Sequence, residues 1–188
     1  MIRYLLLFLS INAYAVDTTI NIQQIGDNNT IAITQDGAGH SVSIDLGKTS
    51  NVDNTSIGIV QQGTGAKAIS IEILSGINNG INISQDGAGN HNSAIQSFIG
   101  SGNSVAIDQQ GSGNHNFTMI GGSQTTNNGN TITASQLGSG SKTFQLNMNG
   151  TVGATVDVQQ TNLTQSNTGS MSVQCGSGSC GSYSYIRN

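Results

Sequence analysis

The chain contains no proline, no tryptophan, and so few charged residues that they fill only 7% of its 188 positions. Each shortage excludes something. Without proline no backbone donor is missing, so hydrogen-bonded ladders can run unbroken through every segment. A charge content far below the usual quarter or so, with a net charge of only −4, does not describe a charge-solvated disordered chain. Beyond the N-terminal stretch the basic residues are Lys48, Lys67, Lys142 and Arg187. Those four cations cannot form a phosphate-tracking stripe, which excludes nucleic acid as a partner.

What the chain does have is a repeat. The unit N-x-[aliphatic]-x-[aliphatic]-x-Q-x-G reads Asn29-Thr-Ile31-Ala-Ile33-Thr-Gln35-Asp-Gly37, then Asn79-Gly-Ile81-Asn-Ile83-Ser-Gln85-Asp-Gly87. It returns as Asn103-Ser-Val105-Ala-Ile107-Asp-Gln109-Gln-Gly111 and Asn130-Thr-Ile132-Thr-Ala134-Ser-Gln136-Leu-Gly138. Weaker half-units lie between, among them Val42–Gly47, Ile69–Ile73, Phe117–Met119 and Phe144–Met148. Gln61, Gln85 and Gln109 are spaced by 24 residues, and so are Gln136 and Gln160. A fixed period of this size is the signature of a solenoid.

The chemistry of one unit explains the period. Apolar and polar residues alternate, so the aliphatics and the Gln of a unit share one face of a strand while the residues between them share the other. The Gly that follows allows the positive φ of a turn. One repeat is then strand, turn, strand, turn. Stacked at about 4.8 Å, successive coils place Gln on Gln and Ile on Ile, giving amide ladders and dry apolar columns. The expected fold is all-β, a solenoid of about six coils with two short strands each, of either hand. The expected ladder comprises Gln24, Gln35, Gln61, Gln85, Gln109, Gln136 and Gln160 with Asn29, Asn79, Asn103 and Asn130. Ile31, Ile33, Ile81, Ile83, Val105, Ile107 and Ile132 form the expected core, and Gly26, Gly37, Gly63, Gly87, Gly111 and Gly138 the turns.

This pattern resembles the curlin repeat of bacterial curli, the extracellular functional amyloid fibres, over roughly residues 20 to 160. The resemblance implies a secreted, self-associating subunit of an adhesive, biofilm-matrix fibre, with a nucleator subunit and an outer-membrane export channel as further partners. The expected assembly step is end-to-end stacking, because a terminal coil has one neighbour too few and an open edge. The other reading is a monomeric β-solenoid adhesin or binding spike of a cell or virus surface.

The ends have their own logic. Met1–Ala15 (MIRYLLLFLSINAYA) combines one Arg, a short apolar run and Ala13-Tyr-Ala15, the pattern of a secretory leader too short for a membrane span. The repeat region is expected over 16–170, starting with a strand at Ile20–Gln24, and a C-terminal strand or cap over 171–188. Longer loops are expected at Gly47–Ser56 and Gly121–Gly129, and a final strand folded back on a hairpin at Tyr183–Ile186. Cys175 and Cys180 bracket a Gly/Ser turn; in an exported protein a disulfide is the expected state.

Catalytic and metal chemistry finds little footing. Asp36 and Asp86 hold equivalent turn positions but Gln62 stands between them, so they lie about 10 Å apart along the stack, too far for a retaining carboxylate pair. His91 and His115 recur in Gly-Asn-His-Asn 24 residues apart; they are expected as exposed turn residues, with a shared metal ion, aided by His40, the lesser reading. No Ser–His–Asp set can be placed, so the chain is read as a non-enzyme without cofactor. Asp45, Glu72, Asp108 and Asp157 are expected on outward strand positions, keeping the faces solvated.

Overall fold

Alternation of side chains along a strand is realised here as two parallel sheets pressed face to face. In the computed structural model, which describes residues 6–11, 19–47, 50–122, 126–175 and 178–188, there is no helix. The first sheet is built around β3 (Thr30–Asp36), β6 (Ser56–Gln62), β8 (Gly80–Asp86), β10 (Ser104–Gln110), β12 (Thr131–Leu137) and β14 (Thr155–Gln160), flanked by β1 (Leu6–Ile11) and β16 (Ser182–Arg187). The second sheet runs through β2 (Thr19–Ile22), β4 (His40–Ile44), β7 (Lys67–Ile77), β9 (His91–Ile99), β11 (His115–Gly121), β13 (Lys142–Asn149) and β15 (Asn167–Gln174). The chain crosses from one sheet to the other at every turn, so each strand pairs in parallel with the strand one coil before it and one coil after. The result is a β-solenoid of about six coils.

The register keeps like over like. Ile57, Ile81, Val105, Ile132 and Val156 follow one another up the first sheet, as do Ile59, Ile83, Ile107, Ala134 and Val158. All are buried. The second sheet answers with Ile44, Ile71, Ile95, Met119 and Leu146 in a facing column. Each fully buried aliphatic contributes on the order of 1.5–3 kcal/mol, and no single coil could bury these side chains alone. Cohesion between coils therefore supplies most of the stability.

Turns stack as closely as strands. Gly111 adopts φ +123°, and a Cβ there would run into the carbonyl of Gly138 in the next coil. Only glycine meets both demands.

Several expected boundaries move. The first repeat strand is β2, Thr19–Ile22, and it belongs to the second sheet rather than to the Gln-bearing one. Gly47–Ser56 is not wholly loop: β5 (Val52–Asp53) pairs with Gly76 and Ile77 at the end of β7 and adds a short third face. Expected as a strand folded back on a hairpin, Ser182–Arg187 instead continues the solenoid, parallel to β14. β15 crosses the expected 170/171 boundary and pairs along β13 like any other coil. Of the expected leader only the backbone of Leu6–Ile11 is described, pairing with β3; its cleavage signal, Lys48, the tip of the Gly121–Gly129 loop (123–125) and residues 176–177 lie outside the described residues.

The stacked turns can be checked directly. Gly111→Ala is expected to cost at least about 2 kcal/mol, since a strained φ alone costs of order 1–3 kcal/mol, and to lower Tm by roughly 4–8 °C. An unchanged Tm in scanning calorimetry would contradict so close an approach of successive turns.

Candidate functional site

The feature that sets this molecule apart from an ordinary core is its columns of buried polar side chains. Gln35 donates from Nε2 to Oε1 of Gln61 at 2.7 Å, Gln61 to Gln85 at 3.0 Å, and Gln85 to Gln109 at 2.9 Å. Gln109 donates to Gln136 and Gln136 to Gln160, each at 2.7 Å. All point the same way along the axis. The second amide hydrogen crosses to the opposite sheet, from Gln61 to the Ser41 carbonyl, from Gln109 to that of Asn92 and from Gln136 to that of Asn116. Gln61, Gln85, Gln109 and Gln136 thus each tie their own coil to the next and one sheet to the other, at full burial.

Gln24 is the exception among the expected ladder residues. It follows β2 in the second sheet, is only half-buried, and donates to the nearby Gly26 carbonyl. The repeat unit is present there only in part, and a strand on the other sheet cannot enter the column.

The Asn residues that precede the strands make a second, shorter ladder. Nδ2 of Asn103 donates to Oδ1 of Asn79 and to the Asn127 carbonyl, and Asn130 does the same to Asn103 and the Thr151 carbonyl. Asn29 donates to the Val52 carbonyl and accepts from the Thr55 N–H. Thr55 and Ala154 occupy the same corner in other coils, so this ladder is interrupted where the Gln ladder is not.

A third column was not anticipated. His40, Lys67, His91, His115, Lys142 and Asn167 stand in register at the start of the second-sheet strands. The two lysines and all three histidines are buried. His91 and His115, expected as exposed turn residues, face inward because the strand begins at the His, and their rings stack at 4.7 Å. The turns around them present carbonyls inward. Lys67 Nζ donates to the carbonyls of Gly65, Gly87 and Gly89 at 2.8–2.9 Å, satisfying all three of its hydrogens. Lys142 Nζ reaches the carbonyls of Gly140 and Gln165. The sequence signal was the G-x-G-x-[His/Lys] run that ends several turns, Gly63-Thr-Gly65-Ala-Lys67 among them; a lysine there reads as a surface residue unless the turn carbonyls are known to converge.

Electrostatics follows from that burial. Desolvation lowers the pKa of Lys67 and of Lys142. It lowers His40 and His91 as well, against the hydrogen bonds these rings make to the carbonyls of Asp36 and Asp86. His115 is pushed down to about 4, by burial first and then by His91 and Lys142. Lys67 separates His40 from His91, so the three imidazoles do not converge, and among the described residues no group of three His, Cys, Asp or Glu could hold a metal ion. Asp36 and Asp86 are exposed, with Gln62 beside Asp36.

The two poles form the remaining site. β2, β15 and β16 each have a strand on one side only. Ile20, Ile22, Met171, Tyr183 and Tyr185, all on these strands, are only partly buried against the core. A disulfide joins Cys175 to Cys180 at the β15–β16 corner. Cys180 N donates to the Val152 carbonyl of the preceding coil, so the corner extends the wall of the stack. No helix among the described residues is long and apolar enough to cross a membrane. No protein-family model, no curated protein and no solved structure matches this chain.

The His column carries a pH prediction. His115 titrates near 6.5 when unfolded and near 4 when folded, so below 6.5 the unfolded chain binds the proton first. The stability contribution is complete above pH 6.5 and is lost as pH falls toward 4, by roughly 3 kcal/mol at about 1.4 kcal/mol per unit. Denaturation midpoints should fall across that window and fall less in His115→Gln; parallel profiles for the two proteins would rule the column out as the cause.

Proposed function

We propose that this chain is a structural fibre subunit that polymerises by stacking coil on coil, in the manner of the curli-like extracellular fibres its repeat resembles. One observation carries the reading: at both poles of the described stack the outermost strands keep a free edge, and core residues on them such as Ile20, Met171 and Tyr183 are only partly covered. A second copy placed end on end would pair with those edges in parallel and extend both sheets at the strand spacing. A heterologous contact of this kind does not close on itself and produces a filament. The role is mechanical: an adhesive or matrix fibre at the cell exterior, with no chemistry asked of the buried groups.

The competing reading is a discrete adhesin or binding spike. It requires poles that do not pair with a second copy; the Cys175–Cys180 corner bonds sideways along the stack, Cys180 N–H to the Val152 carbonyl.

Electron microscopy of the purified protein decides between them, fibres against single particles, and aligned fibres should diffract at about 4.8 Å along their axis. The variant Gln85→Lys with Gln109→Lys should abolish fibres, because two ammonium groups in adjacent coils would enter a dry column filled by neutral amides. Fibre growth at the unmodified rate by that variant would refute the ladder as the cohesive element.

A further inference from the structure

We propose that β1 holds the place on β3 that belongs, in the fibre, to the β16 strand of a second copy, and that Arg187 of that strand completes the Gln ladder. This rests on the stacking reading above and on the leader character of Met1–Ala15.

The first support is the shape of the poles. At one pole, with β1 taken away, the second sheet extends by one strand, β2, beyond the first sheet. At the other, β16 extends the first sheet by one strand beyond β15, and no described strand of the second sheet lies past β15. The two steps are complementary. Brought together, β15 of one copy meets β2 of the next, and β16 meets β3. The strands β16 and β2 from two molecules then share one level and make up a single composite coil. While β1 is present that seat is filled: Leu6–Ile11 pairs with Thr30–Gln35, six residues deep, just as Ser182–Arg187 pairs with Thr155–Gln160.

The second support is an orphaned atom. Every Gln carbonyl from Gln61 to Gln160 accepts from the Gln before it, whereas Oε1 of Gln35, buried at the head of the ladder, has no donor. Leaving a buried acceptor unpaired is unfavourable. β1 places Ile11 opposite Gln35, a residue with no polar side-chain atom. β16 carries Arg187 at the position that continues the Gln column, opposite Gln160. Extended to a second copy in the same register, Arg187 falls opposite Gln35, and its guanidinium supplies the missing N–H donor. Tyr183 and Tyr185 fall opposite Ile31 and Ile33 in the same register. In backbone register β1 sets Leu7 and Leu9 opposite Ile31 and Ile33 but Ile11 opposite Gln35, so it occupies the edge without bringing a polar residue to the head of the ladder.

The test uses the full chain with a protease site introduced between Ala15 and Val16. Elongation onto preformed seeds is followed by sedimentation before and after cleavage, with circular dichroism confirming the sheet content of each sample. Cleavage should raise the rate at least tenfold. Among cleaved chains, Arg187→Leu should elongate at least tenfold more slowly than the parent, and Arg187→Gln, which retains an amide donor, should recover most of the rate. Mixed Ala32→Cys and Ser184→Cys chains should form an Ala32–Ser184 cross-link between copies. Fibres that grow equally fast with the leader attached, or an Arg187→Leu variant at the parent rate, would overturn the composite coil while leaving the fibre reading intact. Cross-linking of Ser184→Cys chains only to one another would also overturn it, as a tail-to-tail contact. Fibres from no sample would remove the stacking reading itself.

Discussion

Everything in this molecule answers to one spacing. Parallel strands joined by main-chain hydrogen bonds sit about 4.8 Å apart, and in a solenoid that distance applies to every atom of a coil, the turns included. A side chain therefore has its own counterpart above and below it as nearest neighbours. A residue type that pairs favourably with itself is amplified by stacking; one that repels itself is excluded. Glutamine is the strongest case, since its amide is both donor and acceptor, and one orientation repeated from Gln35 to Gln160 satisfies each link. Glycine at the turns is the steric counterpart, because neighbouring backbones leave no volume for a Cβ.

The basic column shows how the same constraint handles charge. Like charges in adjacent coils would lie about 5 Å apart in a dry interior, a costly arrangement. The column avoids this by separation: Lys67 and Lys142 are never neighbours, and the imidazoles between them are held neutral by burial. Each ammonium is met by turn carbonyls, which are present in every coil because the turns repeat. The fold makes cation-accepting corners as a by-product of its periodicity, and lysine fills two of them.

The poles matter because the stack has no internal reason to stop. A globular core is closed on all sides; a solenoid is closed only around its circumference. Its ends present unpaired strand edges and half-buried core residues such as Ile20 and Tyr185, so the contacts that hold one coil to the next inside a molecule are the ones available between molecules. Stability and assembly are here a single interaction seen at two scales.

Much of this could be read before any coordinates, since period-two alternation and a 24-residue repeat are local facts. They determined the all-β solenoid, the inward set Ile81, Ile83 and Gln85 and its equivalents, and the glycine turns. What they could not determine depends on which strand lies over which. Gln24 looked like a ladder member until the sheet to which β2 belongs was known. His91 and His115 looked like turn residues because one position separates the last turn residue from the first inward strand position, and a sequence does not mark that boundary. Nothing in the sequence marks Lys67 and Lys142 as buried, because the carbonyls that receive them come from turns up to 23 residues away. Periodicity is written in the chain; the meeting of different coils at a corner, and the step at each pole, exist only once the coils are stacked.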